Sequence, residues 1–203
     1  MRSYIGIWLV GLALTGCVGL GQSQPEKHYY ALEAIRQGER LVAVPGTILN
    51  IRRFRAAPPF QGREVVYRES DARYERDFYN QWLAPPDVML TQQILNWLTA
   101  AGLFHYVTDS SGPLPATYIL DGMVTALYGD YRATPFKIVL GLQFVLMHDV
   151  SASTDIIWHD QYRKEVEVRE ESPEALVSGG NDALRIILMA VETDISRALR
   201  SKR

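Results

Sequence analysis

The residue types that carry most protein chemistry are sparse here: one thiol, Cys17, and four imidazoles, His28, His105, His148 and His159. One cysteine excludes an intramolecular disulfide and a thiolate-rich metal cage, so a metal centre would have to be built from histidines and scattered carboxylates. His148 and His159 are each followed by Asp. If the segments around them fold back at Ser151-Ala152, His148 falls opposite Asp155 and His159 opposite Phe144. That separates the imidazoles by about four residues along the ladder, roughly 14 Å at about 3.4 Å per residue, which is too far for one ion. His28 precedes the folded part and His105 sits in a short strand. The chain contains no HExxH, GxSxG, Walker loop or GxGxxG. Glu165, Glu167, Glu170 and Glu171, interleaved with Val166, Val168 and Arg169, read as the solvated face of a strand and its exit. The prediction is therefore no catalytic residue, no metal site and no cofactor; an enzyme reading survives only as a triad assembled from distant positions.

The thiol is informative through its position. Met1 to Cys17 reads MRSYIGIWLVGLALTGC: a basic residue, an apolar stretch from Ile5 to Leu14, then two small residues before the cysteine. This is the layout of a secretory signal. The alternative, a transmembrane anchor, is opposed by length, because the uninterrupted apolar run is about half of the roughly 20 residues a spanning helix needs. Leu14-Thr15-Gly16-Cys17 resembles the lipobox of bacterial lipoproteins. The resemblance implies that a diacylglyceryl group is attached to the Cys17 thiol and that the signal, residues 1–16, is cut just before it. It also implies, since Val18 and not Asp follows the cysteine, delivery to the periplasmic face of the outer membrane. One acyl chain holds a protein only marginally, whereas two or three hold it durably. The next eleven residues, VGLGQSQPEKH, have the composition of a tether and reach at most about 36 to 40 Å. The expected organisation is a signal at 1–16, a lipidated cysteine and tether at 17–28, and a single periplasmic domain at 29–203.

Composition narrows the classes further. Of 203 residues, 47% are hydrophobic and 22% charged, with 21 Lys and Arg against 23 Asp and Glu. That excludes a disordered tail protein and a collagen-like fibre. The interspersed charges, net −2, leave no basic face for nucleic acid.

Period-2 apolar patterns predict strands at Thr47–Phe54, Glu64–Arg68 and Tyr74–Tyr79, with a turn near Glu69 to Ala72. At Pro85-Pro86 the period changes. Proline is tolerated in a first helical turn, Asp87 suits the positive end of the dipole, and Met89, Leu90, Ile94, Trp97, Leu98 and Ala101 recur at helical spacing before a stop at Gly102. A short strand is predicted at Leu103–Thr108, followed by the breaker-rich loop 110–115. Three long strands follow, at 116–131, 135–150 and 153–168, read as an antiparallel meander. Phe136, Ile138, Leu140, Leu142, Phe144 and Leu146 are expected on one face of the second, and Ile156, Trp158, Tyr162 and Val166 on one face of the third. A last helix opens at Ser172-Pro173 and carries an apolar stripe from Leu176 to Leu199, with a kink or close packing expected at Gly179-Gly180. Its basic end, Arg197, Arg200, Lys202 and Arg203, suits the negative end of the helix dipole. The expected class is α+β: a mostly antiparallel sheet with a C-terminal three-stranded meander and two main helices packed on it.

Tyr29-Tyr30-Ala31-Leu32, the VVYR of Val65 to Arg68, Gln81-Trp82 with Pro85-Pro86, Met89-Leu90, Ile94, Leu98, the GLFHYV of Gly102 to Val107 and Ala175 to Val177 occur in that order. Together they resemble the ABC-type transport auxiliary lipoprotein family. Family patterns carry Arg before the Trp and a single Pro after it; Gln81 and the Pro pair depart from this, and Trp82 is expected in the core. The resemblance implies a non-catalytic auxiliary component of a mammalian-cell-entry (MCE) type lipid transport system, with the MCE protein and the membrane as partners and a homo-oligomer possible. The rival class is an outer-membrane lipoprotein that regulates a cell-wall synthase or assists an envelope assembly machine.

Overall fold

The structure is a computed structural model and describes residues 26–112, 114–150 and 153–201. The signal, Cys17 and most of the tether lie outside the described residues, as do Lys202 and Arg203. In chain order the elements are β1 (His28–Tyr30), β2 (Val44–Ile51), β3 (Arg55–Ala56), β4 (Glu64–Arg68), β5 (Tyr74–Trp82), α1 (Pro86–Ala101), β6 (Phe104–Asp109), β7 (Tyr118–Asp130), β8 (Lys137–Val150), β9 (Ser153–Glu167) and α2 (Pro173–Ser201).

Both helices form where local signals put them. α1 starts on proline with Asp87 in its first turn and ends at Gly102, whose φ of 72° suits a residue without Cβ and whose N–H reaches the Leu98 carbonyl. Its predicted apolar face is buried. Each fully buried Leu or Ile there contributes about 1.5–3 kcal/mol. α2 is capped by Ser172, whose hydroxyl accepts the Ala175 N–H at 3.2 Å. Close packing is what Gly179 and Gly180 provide. A Cβ on Gly179 would lie 2.9 Å from Ile138 and 3.0 Å from Val168, and one on Gly180 would lie 2.7 Å from Leu32.

The sheet departs from expectation. Among the described residues nine strands join one curled sheet, and five of its eight pairings are parallel: β1 with β5, β2 with β6, and β2, β3 and β4 with β7. The sheet is mixed, not mostly antiparallel. The reason is topological, since the connections from β2, β3 and β4 to β7 are long crossovers, which return a chain parallel, not hairpins. The C-terminal strands β7, β8 and β9 pair antiparallel in succession but are part of the one mixed sheet. β7 pairs along its length with β8 and offers its other edge in succession to β2 at Tyr118–Leu120, to β3 at Met123–Val124 and to β4 at Gly129–Asp130. β7 is thus the spine of the whole sheet. Gly122 on this spine lets Phe54 lie flat against it, with the Phe54 ring edge-on to Phe144 at 5.4 Å.

β8 and β9 pair antiparallel, with His148 opposite Asp155 as expected. A bulge between Leu146 and Met147 then shifts the register by one residue. Ile157, Trp158, Tyr162 and Val166 pack on the core, while Ile156, expected on that face, is 62% exposed. One extra residue in a strand turns every later side chain to the opposite face.

The irregular segment after β1 straps the two helices together. The Glu33 N–H bonds Asn181 and the Ala34 N–H bonds Gln93. Arg36 makes a two-pronged ion pair with Glu192 at 2.9 Å, and Glu192 also accepts the Trp97 indole N–H at 2.8 Å.

Candidate functional site

The chemistry-bearing residues singled out in the sequence are dispersed. His28 and His105 are exposed on β1 and β6. His148 lies against the Tyr118 ring, 4.8 Å between centroids. The bulge places His159 opposite Val145, so the imidazoles are three residues apart along β8, roughly 10 Å at about 3.4 Å per residue. Among the described residues no three His, Cys, Asp or Glu side chains gather as metal ligands. Trp82 is 2% exposed and belongs to the core. Its N–H bonds the Arg63 carbonyl, while the Arg63 side chain returns to the carbonyls of Trp82 and Leu83.

What the fold does assemble is a knot of tyrosines and carboxylates where β1, β4 and β5 meet the start of α2. The Asp77 carboxylate accepts the backbone N–H groups of Tyr79 (2.9 Å) and Asn80 (3.0 Å), the Asn80 amide (2.7 Å) and the Tyr67 hydroxyl (3.1 Å). Burial alone would raise its pKa, but the bonds from Asn80, Tyr79 and Tyr67 outweigh that and hold it below the ordinary carboxylate range. The Tyr30 hydroxyl donates its one proton to Glu174 at 2.7 Å, with the Asn80 amide oxygen 3.2 Å away as the longer, competing acceptor. Desolvation, reinforced by Glu174, pushes Tyr30 up to about 12. Tyr67 and Tyr131, stacked at 5.1 Å, are raised as well, chiefly by burial. Phenols held neutral and a carboxylate held ionised are poor acid–base catalysts at neutral pH. They are effective clamps, and here they tie β5 and β1 to α2. Sequence reasoning missed this knot; the signal for it was the polar pair Asp77 and Asn80 in an otherwise strand-like run.

The molecule's other features are surfaces. β9 pairs with β8 and with no other described strand, and its charged side chains, among them Asp160, Arg163, Glu165 and Glu167, are exposed. Charges of this kind guard a sheet edge against indiscriminate pairing. Between the end of β9 and α2 lies an open cleft of about 580 Å³, bordered by Glu167, Arg169, Glu170, Glu174 and Asp182. No helix among the described residues is long and apolar enough to cross a membrane.

Solved structures show the same fold. Protein XCC0632 from Xanthomonas campestris superposes with a TM-score of 0.71 at 16% identity, covering 87% of this chain and 99% of its own. An uncharacterised protein gives 0.66 at 19% identity, covering 84% and 99%. Protein CT253 from Chlamydia trachomatis gives 0.50 at 7% identity, covering 72% and 95%. At such identities the likeness speaks to fold alone. No curated protein sequence matches the chain. A family model does, over residues 30–191, which takes in α1, most of α2 and the sheet apart from the first two residues of β1. On that match the chain belongs to the family of ABC-type transport auxiliary lipoprotein components.

Proposed function

We propose that this chain is the lipid-anchored, non-catalytic auxiliary subunit of an MCE-type ABC lipid transport system. Cys17 holds it on the periplasmic face of the outer membrane, with residues 17–28 as tether and 29–203 as one periplasmic domain. The domain works by contact: it docks the periplasmic part of the MCE protein, a second copy of itself, or both. Family membership supports the transport role. The observation that carries docking is the outer edge of β9, fifteen residues long and hydrogen-bonded to a described strand on one side alone. An added strand would gain main-chain hydrogen bonds there, and the row of exposed charges would select which strand is accepted.

Crosslinking in intact envelopes tests the assignment. A photoreactive residue at Arg163 or Glu165 is expected to capture an MCE protein or a second copy of this chain. Capture of a cell-wall synthase in their place would favour the rival class. Sorting is tested separately. Val18→Asp is expected to move the protein from outer- to inner-membrane fractions, and wild-type protein found only in the inner membrane would remove the outer-membrane assignment.

A further inference from the structure

β5 does not run straight past β4. Glu64 pairs with Gln81 and Val65 with Asp77, so residues 78–80 are left out of the β4 pairing as a bulge, while Asn80 stays paired with His28 on the β1 side. The Asp77 carboxylate grips this bulge from beneath through the Tyr79 and Asn80 N–H groups. Its tip carries two aromatics, Phe78 and Tyr79, 62% and 43% exposed and set edge to face at 5.3 Å. The Phe78 carbonyl accepts from Gln81, and Gln81 pairs with the exposed Tyr29 of β1. The Arg63 guanidinium lies over the Tyr29 ring and donates to the carbonyl of Leu83, itself 61% exposed. Lys27 sits 4.0 Å over the Phe78 ring. The result is a patch of four large exposed apolar side chains edged by two cations: Phe78 and Tyr79 on the bulge that Asp77 holds, Tyr29 on β1 and Leu83 just past the end of β5.

Aromatics exposed at this density mark an interaction surface. The side chains of Phe78 and Tyr79 take no part in the Asp77 bonds, which are made by backbone groups, by Asn80 and by Tyr67. The position of the patch says what it meets. Lys27, which covers Phe78, lies ten residues after Cys17, so at most about 36 Å of extended chain separates the thiol from the patch. The tether enters the fold at this point. Phe and Tyr with Lys and Arg are also the mixture that settles at a bilayer interface, with rings at the level of the headgroups and cations on the phosphates.

We propose that the Phe78–Tyr79 bulge, with Tyr29, Leu83, Lys27 and Arg63, is a second, non-covalent membrane contact: it rests on the phospholipid headgroups and fixes the orientation of the anchored domain. The proposal rests on the reading of Cys17 as the lipidated residue. α1 starts just after Leu83, and its sixteen residues put its far end about 24 Å from that start along the helix axis. The segment after the strap meets that far end, where the Leu41 N–H bonds the Ala101 carbonyl, so the proposed seating leaves it at a distance from the headgroups.

The test uses the processed full-length lipoprotein in vesicles of phosphatidylethanolamine and phosphatidylglycerol. Lipidation blocks the only native thiol, so Leu83→Cys and Phe78→Cys each supply one site for a fluorophore, and Val42→Cys, at a position 95% exposed beside the far end of α1, supplies the control. Labels at 83 and 78 are expected to be quenched severalfold more strongly by spin-labelled lipid than the label at 42, consistent with side chains sunk about 5–10 Å into the headgroup region. Equal quenching at all three positions in vesicle-bound protein overturns the proposal. Shielding of position 83 that appears only when the co-purified transporter is added also overturns it, and assigns the patch to a protein partner. The anchor has its own readout: if Cys17 of the parent protein still reacts with maleimide, the lipidation reading fails and the membrane contact falls with it.

Discussion

Glu192 is the point at which the strap and both helices are joined, and replacing it by Met is the most informative single perturbation of the fold. Its carboxylate takes two bonds from Arg36 at 2.9 Å and one from the Trp97 indole at 2.8 Å. The Arg36 side chain is 8% exposed and that of Glu192 15%. Removing one partner of a buried pair costs about 3–5 kcal/mol, because the other charge is left desolvated. Arg36 would keep the carbonyls of Gly38 and Glu39, which places Glu192→Met at the low end, about 3 kcal/mol. For a domain of this size that lowers Tm by about 6–12 °C. Arg36→Met should cost less, about 2 kcal/mol, because Glu192 keeps the indole N–H and some contact with water. The double variant orphans the indole N–H and hands the exposed Gly38 and Glu39 carbonyls to water, again about 2 kcal/mol. The cycle thus predicts a coupling energy of about 3 kcal/mol, measured by urea unfolding followed through tryptophan fluorescence. Additive single losses, or a loss below about 1 kcal/mol for Glu192→Met, would refute the argument.

Three further outcomes follow from the same structure. Gly179→Val drives methyl groups into Ile138 on β8 and Val168 just past the end of β9 and should lower stability by about 2–3 kcal/mol as overpacking; an unchanged urea midpoint would contradict the close approach. Asp77 is held below its ordinary pKa, so its contribution is complete above an unfolded value near ~3.9 and disappears as pH falls through the lower folded value. Asp77→Asn should flatten the loss of stability on acidification below about pH 4, and parallel pH profiles for parent and variant would count against it. Cys17→Ala should leave the fold intact and abolish anchoring; processed, membrane-bound protein in envelope fractions of that variant would show that another residue holds the chain.

The elements that were legible in the sequence are those specified locally. Pro86, Asp87 and Gly102 bracket α1, Ser172 and Pro173 open α2, and the spacing of Leu90, Ile94 and Leu98 identifies the buried face without reference to the rest of the molecule. Strand partners are a different matter. The pairing of β2 with β7 sets Leu49 opposite Tyr118, 69 residues further along the chain, and no local pattern marks it, so local reasoning favours hairpins between neighbouring strands and misses the parallel half of the sheet. The β9 bulge was hidden for another reason: Ile156-Ile157-Trp158 is apolar throughout, so either phase of alternation fits until the packing chooses one. As for the site, the dispersal of the histidines could be read from spacing, whereas Asp77 and the Arg36–Glu192 pair were ordinary polar residues until the fold surrounded them.

The spine role of β7 bears on how the molecule comes into being. A chain made from its N-terminus offers residues 44–68 long before 118–130 exist to receive them. β2, β3 and β4 each hold β7 through only two or three register positions, and a loop of many tens of residues must close before any of those bonds forms. High contact order of this kind slows folding. In the interval the early strands present bare ladder edges and apolar faces, the condition in which chains pair with the wrong neighbour. The half-made protein is therefore a natural client for a holding chaperone, released when its thirteen-residue spine arrives.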